Sequence, residues 1–132
     1  MQTNRFPAKL NVSPAEKMGM WVLNSQFTYI LTEKWIKKNL WLIVVPAGFK
    51  TNFASVPRIF RNIIQQWGKH GNAAIIHDYL YTKDCKPSVR RKIADQIFLE
   101  AMKYSKVGFF KRQLMYRSVR IFGEMNWKKE GL

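Results

Sequence analysis

Residues 40–60 read LWLIVVPAGFKTNFASVPRIF, and within this stretch the chain passes from one structural period to another. Residues 40–45 are a continuous apolar run of strand length, stopped by Pro46. Ala47-Gly48 breaks the pattern, and residues 49–53 have the length of one more short strand. Pro57 then suits the first turn of a helix, where its missing N–H is not needed. Residues 58–67 continue with Ile59, Phe60, Ile63 and Ile64 at helical spacing.

Working outward, residues 20–31 (MWVLNSQFTYIL) are rich in β-branched and aromatic side chains and predict a strand. The polar residues 33–39 would turn it back onto residues 40–45 as a hairpin or meander, and residues 6–12 could add an edge strand. Downstream of the helix at 58–67, residues 68–71 (GKHG) predict a loop that holds His70. Asn72 is a good N-cap for a helix over about 73–82. Residues 84–87 form a turn, and Ser88 caps a helix over 89–104 with the stripe Ile93, Ala94, Ile97, Phe98, Ala101 and Met102. After Gly108 a last helix runs over about 109–122, with Phe110, Leu114, Ser118 and Ile121 on one side and Arg112, Tyr116 and Arg120 on another. Residues 123–132 read as an irregular tail onto which Trp127 can dock.

Strands followed by about four helices argue for an α+β class rather than an alternating parallel sheet. The expected organisation is one domain over 1–132, mainly β over 6–53 and mainly α over 57–122. Trp41, Phe60 and Trp67 are expected in the core.

Twenty-three Lys and Arg against eight acids give a net charge of +15. A field of that size attracts polyanions: nucleic acid, anionic lipid or an acidic protein surface. The cations recur from Arg5 to Lys129 rather than forming a tail, and no nucleic-acid-binding motif accompanies them. A single cysteine, Cys85, excludes a disulfide within the chain and a cysteine-based zinc site. No run approaches the ~20 apolar residues of a membrane-spanning helix, and residues 1–11 lack a signal-peptide core. The expected place of synthesis is the cytoplasm.

Chemistry-bearing residues are few. The chain has only three Asp, and two of them, Asp78 and Asp95, fall in predicted helices, where Asp has poor propensity. His77 and Tyr81 lie one turn apart on a helix face. Helices joined by a short turn usually pack antiparallel, which could bring Asp95 to the His77 ring. A carboxylate that orients an imidazole is the usual setting of a general base. Equally, a buried His–Asp pair can serve only to fix helix register. Ser55 is a nucleophile candidate, although its place two residues before Pro57 also suits helix entry. Lys111, Arg112, Arg117 and Arg120 could form a polyanion-contacting face on the last helix, or simply a solvated one.

The segments VPAGFKTNFASVPR (45–58), HDYLY (77–81) and ADQIF (94–98) resemble an uncharacterised family of phage and prophage proteins. Its signature is VPAGF-x-T-D-FASVP, then HD-x-L-Y, then AD-x-x-F. The resemblance covers roughly residues 23–122 and implies a bacteriophage origin, with no known activity. Asn52 stands where that family usually has Asp. Asn keeps the shape and one acceptor but loses the charge, which puts in doubt any catalytic or ligand role there.

The order His77, Asp78, Tyr81, Asp95 is also similar to secretory calcium-dependent phospholipases. In those enzymes the His of an H-D-x-x-Y helix activates a water, the adjacent Asp binds calcium, and a later helix supplies an Asp to the His. That similarity implies a divalent cation on Asp78. The disulfides and the glycine-rich calcium loop of those enzymes are missing, and calcium needs many oxygen ligands.

Three functions compete at this stage. The first is a virion or assembly protein that contacts DNA or acidic partner subunits, with a vestigial hydrolase-like site. The second is a small phage hydrolase acting on an ester or amide of lipid or cell-wall material through His77, Asp95 and Asp78. The third is an inhibitor of a host nucleic-acid defence system. Expected partners are other virion proteins, DNA or a second copy of the chain, and the expected location is the host cytoplasm or the virion.

Overall fold

The computed structural model describes residues 4–53, 55 and 69–127. The chain divides into two compact units, Met1–Asn52 and Phe53–Leu132. The first is β-rich and the second helical, so the α+β class holds.

In the first unit, β1 (Val12–Pro14) pairs antiparallel with β2 (Trp21–Leu23). Strands β3 (Phe27–Ile30) and β4 (Leu42–Val45) form a separate antiparallel pair, and β5 (Lys50–Thr51) joins β2. The expected single strand over 20–31 is thus two strands in different sheets. Asn24 breaks it, because its side-chain amide donates to Asn11 Oδ1 (2.9 Å) and Ser13 Oγ (2.6 Å). Such local bonds favour a turn over a ladder.

The predicted hairpin between the two apolar stretches is the β3–β4 pair, with Phe27 opposite Val45 and Tyr29 opposite Ile43. All four face the core. Trp41, expected inside, precedes β4 and is 61 % exposed, and within β4 burial alternates, with Leu42 exposed and Ile43 and Val45 buried. A strand covered on one face buries only every second side chain.

The polar turn over 33–39 is a short 3-10 helix, Glu33–Lys38, which tucks Trp35 into the core. Phe6 lies outside any strand and packs its ring on Phe27 and Tyr29. The edge strand therefore starts at Val12, not at Phe6. Gly48 turns the chain with φ +90°, a conformation open to glycine at little cost, while its N–H reaches Leu23 O.

The second unit contains three α-helices among the described residues: α1 (Lys69–Leu80), α2 (Arg91–Tyr104) and α3 (Phe109–Phe122). The predicted helix over 58–67, with Phe60 and Trp67, lies outside the described residues. Helix α1 includes Lys69 to Asn72, so residues 69–71 are not a loop and Asn72 is not its cap. Ala73 to His77 are all fully buried, which marks a core helix. Packing of that kind outweighs the ~1 kcal/mol that Gly71 costs within a helix.

Helix α2 starts at Arg91, with Arg90 as its cap residue and no side-chain cap bond, so Ser88 does not cap it. The stripe from Ala94 to Met102 is buried as expected. On α3 the buried residues are Met115 and Val119. Phe110, Leu114 and Ile121 line its exposed side. The tail is not wholly irregular: Gly123–Asn126 form a 3-10 turn, and Trp127 docks edge-on against Tyr81.

Candidate functional site

The polar centre of the second unit is built where α1 meets α2. His77 sits in the last turn of α1 and Asp95 in the second turn of α2. His77 Nε2 lies 2.7 Å from Asp95 Oδ1, so the pairing expected from the two helices is present. A carboxylate can only accept, so Nε2–H donates. The other ring nitrogen, Nδ1, is 3.1 Å from Ser55 Oγ. In the neutral imidazole this nitrogen accepts, and the Ser55 hydroxyl donates to it.

Asp95 is saturated. Its Oδ1 also accepts from Tyr81 Oη at 2.6 Å, and its Oδ2 from Arg120 Nη1 at 2.7 Å and, more loosely, Arg91 Nη1 at 3.5 Å. The four contacts match the roughly four lone-pair positions of a carboxylate. Burial alone would raise the Asp95 pKa, but the hydrogen bonds from His77, Tyr81 and Arg120 hold it below the ordinary carboxylate value. The Tyr81 hydroxyl is pushed the other way. Burial raises its pKa most, and the neighbouring Asp95 carboxylate adds to the shift.

The His77 ring is clamped between Tyr81 (centroids 4.3 Å apart) and Phe98 (4.4 Å, stacked). His77 and Asp95 have no exposed surface, and Ser55 has 2 %. Asp78 is half-buried, and its Oδ1 accepts the Ser55 backbone N–H at 3.2 Å. Among the described residues, no three His, Cys, Asp or Glu side chains group to hold a metal ion.

The structure therefore brings His77, Asp95, Tyr81, Ser55 and Asp78 into one connected set. Asn52, the last residue of the first unit, is exposed. The four cations proposed as a face on α3 divide. Lys111 and Arg117 are exposed, Arg112 donates to Val107 O at 3.0 Å and stacks over Phe109, and Arg120 is committed to Asp95. Arg120 is thus an ion-pair partner of Asp95 that keeps part of its side chain exposed, and nothing in its helical position on α3 signals a partner on α2.

Arg91 was legible in part, since it stands four residues before Asp95. Its wider role was not. Its guanidinium also donates to Val119 O and Arg120 O, carbonyls of the last turn of α3, the first of which also accepts the Gly123 backbone N–H. Gly123 is required here as well: a Cβ at that position would lie 2.6 Å from Tyr81 Oη and 3.2 Å from Arg91 Nη1.

No helix among the described residues is long and apolar enough to cross a membrane. No curated protein and no solved structure matches the chain. Residues 21–119 match the family described as protein of unknown function (DUF1353), a span that contains Ser55, His77, Asp78, Tyr81 and Asp95. The chain is a member of that family, which agrees with the uncharacterised family to which its motifs pointed.

Proposed function

We propose that this protein is a phage virion or assembly component that works by contacting DNA or acidic neighbouring subunits, and that the His77–Asp95 set fastens its helices together. One observation carries the reading. His77 and Asp95 have no exposed surface, and the hydrogen-bonding positions of both are taken by protein groups. A base that must reach a substrate needs an open side within hydrogen-bond distance of the reacting proton. A register-fixing cluster needs the opposite. The +15 charge then supplies the binding energy for an acidic partner.

The test has two arms. Fluorescence anisotropy should show duplex DNA or an acidic polypeptide binding with a steep salt dependence. On a panel of ester, amide and phospholipid substrates, wild type and His77→Ala should be equally inactive. Turnover by wild type that vanishes in His77→Ala overturns the reading, as does the absence of this chain from purified virions.

A second reading, an acyl hydrolase, is favoured by the order Ser55 Oγ, His77, Asp95 along one hydrogen-bonded line. Ser55 would attack a carbonyl as its proton passes to His77 Nδ1, and Asp95 would hold the resulting imidazolium. Covalent labelling of Ser55 by a fluorophosphonate would establish it, and failure to label the folded protein would remove it.

A further inference from the structure

The second unit also carries an open cleft of about 550 Å³, a size ordinary for ligand sites. Its lining includes Ser88, Arg90, Arg91, Lys92, Arg120 and Trp127. Four cations thus converge on one concavity. The acids that face them are Asp95, fully buried behind Arg91 and Arg120, and Glu124, which acts on Arg91. Asp95 carries one negative charge, so it cannot neutralise both guanidinium groups. Arg90 and Lys92 are exposed, and Arg91 and Arg120 keep 17 % and 31 % of their side-chain surface open.

An arrangement of like charges around a cleft is electrostatically costly when empty and favourable once an anion enters. Guanidinium groups held by other contacts have already lost their conformational freedom, so less is lost on binding. Arg91 and Arg120 are held in this way, by Asp95 and by the carbonyls of α3.

We infer that this cleft is a phosphate-binding site for the backbone of a nucleic acid, gripped by Arg90, Arg91, Lys92 and Arg120. The inference rests on the polyanion-contacting reading and gives it a place. A concave site with cations on its walls admits phosphates that project from a strand. A flat acidic surface would reach Arg90 and Lys92 but not the recessed Arg91. The Ser88 hydroxyl at the rim supplies a neutral donor to the same group.

The experiment compares duplex DNA binding by wild type, Arg90→Ala/Lys92→Ala, and a control of equal charge change, Lys37→Ala/Lys38→Ala, whose lysines are exposed in the first unit. The cleft variant should lose about tenfold or more in affinity, and the slope of log K against log salt should fall by about 1.8, as for two lost phosphate contacts. The control should change only a few-fold. Equal losses in both variants overturn the cleft and leave the basic-surface reading standing. Failure of wild type to bind DNA overturns the cleft as a nucleic-acid site, and failure to bind an acidic polypeptide as well overturns both.

Inorganic phosphate at matched ionic strength separates the sources of the anion. Full displacement of DNA at equal phosphate concentration assigns the cleft to free phosphate and overturns the nucleic acid. Tighter binding of polyglutamate than of DNA overturns it in favour of an acidic protein. Should the double variant fail to fold, Lys92→Gln alone carries the same comparison against Lys38→Gln.

Discussion

Replacing Asp95 with Asn tests the central claim that this carboxylate fastens the helical unit. The variant keeps the shape and one acceptor oxygen. On the other side it presents an amide N–H₂ to Arg120 or to His77, both of which are donors in the native arrangement. Breaking a buried ion pair by removing one partner costs about 3–5 kcal/mol. The Arg120 side chain is 31 % exposed and can turn to water, which lowers that figure. The Tyr81 and His77 donors are buried and cannot do so, and each unsatisfied buried donor costs ~1–3 kcal/mol. A loss of about 3 kcal/mol follows, which for a chain of this length lowers Tm by roughly 12 °C.

Urea and thermal unfolding followed by circular dichroism measure the loss directly. The pH dependence adds a signature that a mere packing defect lacks. Asp95 has a depressed pKa in the folded protein, so the unfolded chain takes up its proton first. The stability it confers is present above about pH 4, the unfolded carboxylate value, and is lost as pH falls through the folded pKa. Asp95→Asn should flatten this part of the acid limb. A loss under ~1 kcal/mol, with the same acid dependence in both proteins, would refute the reasoning.

Other changes report on neighbouring parts of the set. Gly123→Ala places a methyl against Tyr81 Oη and should cost ~1–3 kcal/mol, as overpacking does; adding Tyr81→Phe should recover part of it in a double-mutant cycle. Phe98→Ala empties the space against the His77 ring and should cost about 3–5 kcal/mol by urea unfolding. Ser55→Ala removes the partner of His77 Nδ1 and should cost ~1–2 kcal/mol while leaving DNA affinity unchanged. Tyr81 has a raised pKa, so its contribution is full below about pH 10 and falls as pH rises above that. Tyr81→Phe should therefore reduce the alkaline sensitivity of unfolding.

Much of the architecture was legible in residues that act locally. Pro46 and Gly48 stop a strand, and the stripe from Ile93 to Met102 marks α2 through its spacing alone. The one-turn spacing of His77 and Tyr81 and the scarcity of aspartates picked out the polar set. Arg91 could be paired with Asp95 because four residues make one helical turn. These features depend on neighbours in the chain, and periodicity reports neighbours.

What failed depended on contacts between distant segments. Asn24 divides a β-rich stretch through partners at Asn11 and Ser13. Gly71 and Asn72 lie inside α1 because the helix around them is buried, a tertiary gain that local propensity does not contain. Phe110, Leu114 and Ile121 share a helix face but stand exposed, while Arg120, which reads as a surface cation, closes on Asp95. A helical wheel states which residues share a face and not which face is covered. The closure of Arg120 on Asp95, the glycine that makes room for Tyr81 and the cationic cleft were decided by tertiary structure, because each joins elements at least a dozen residues apart.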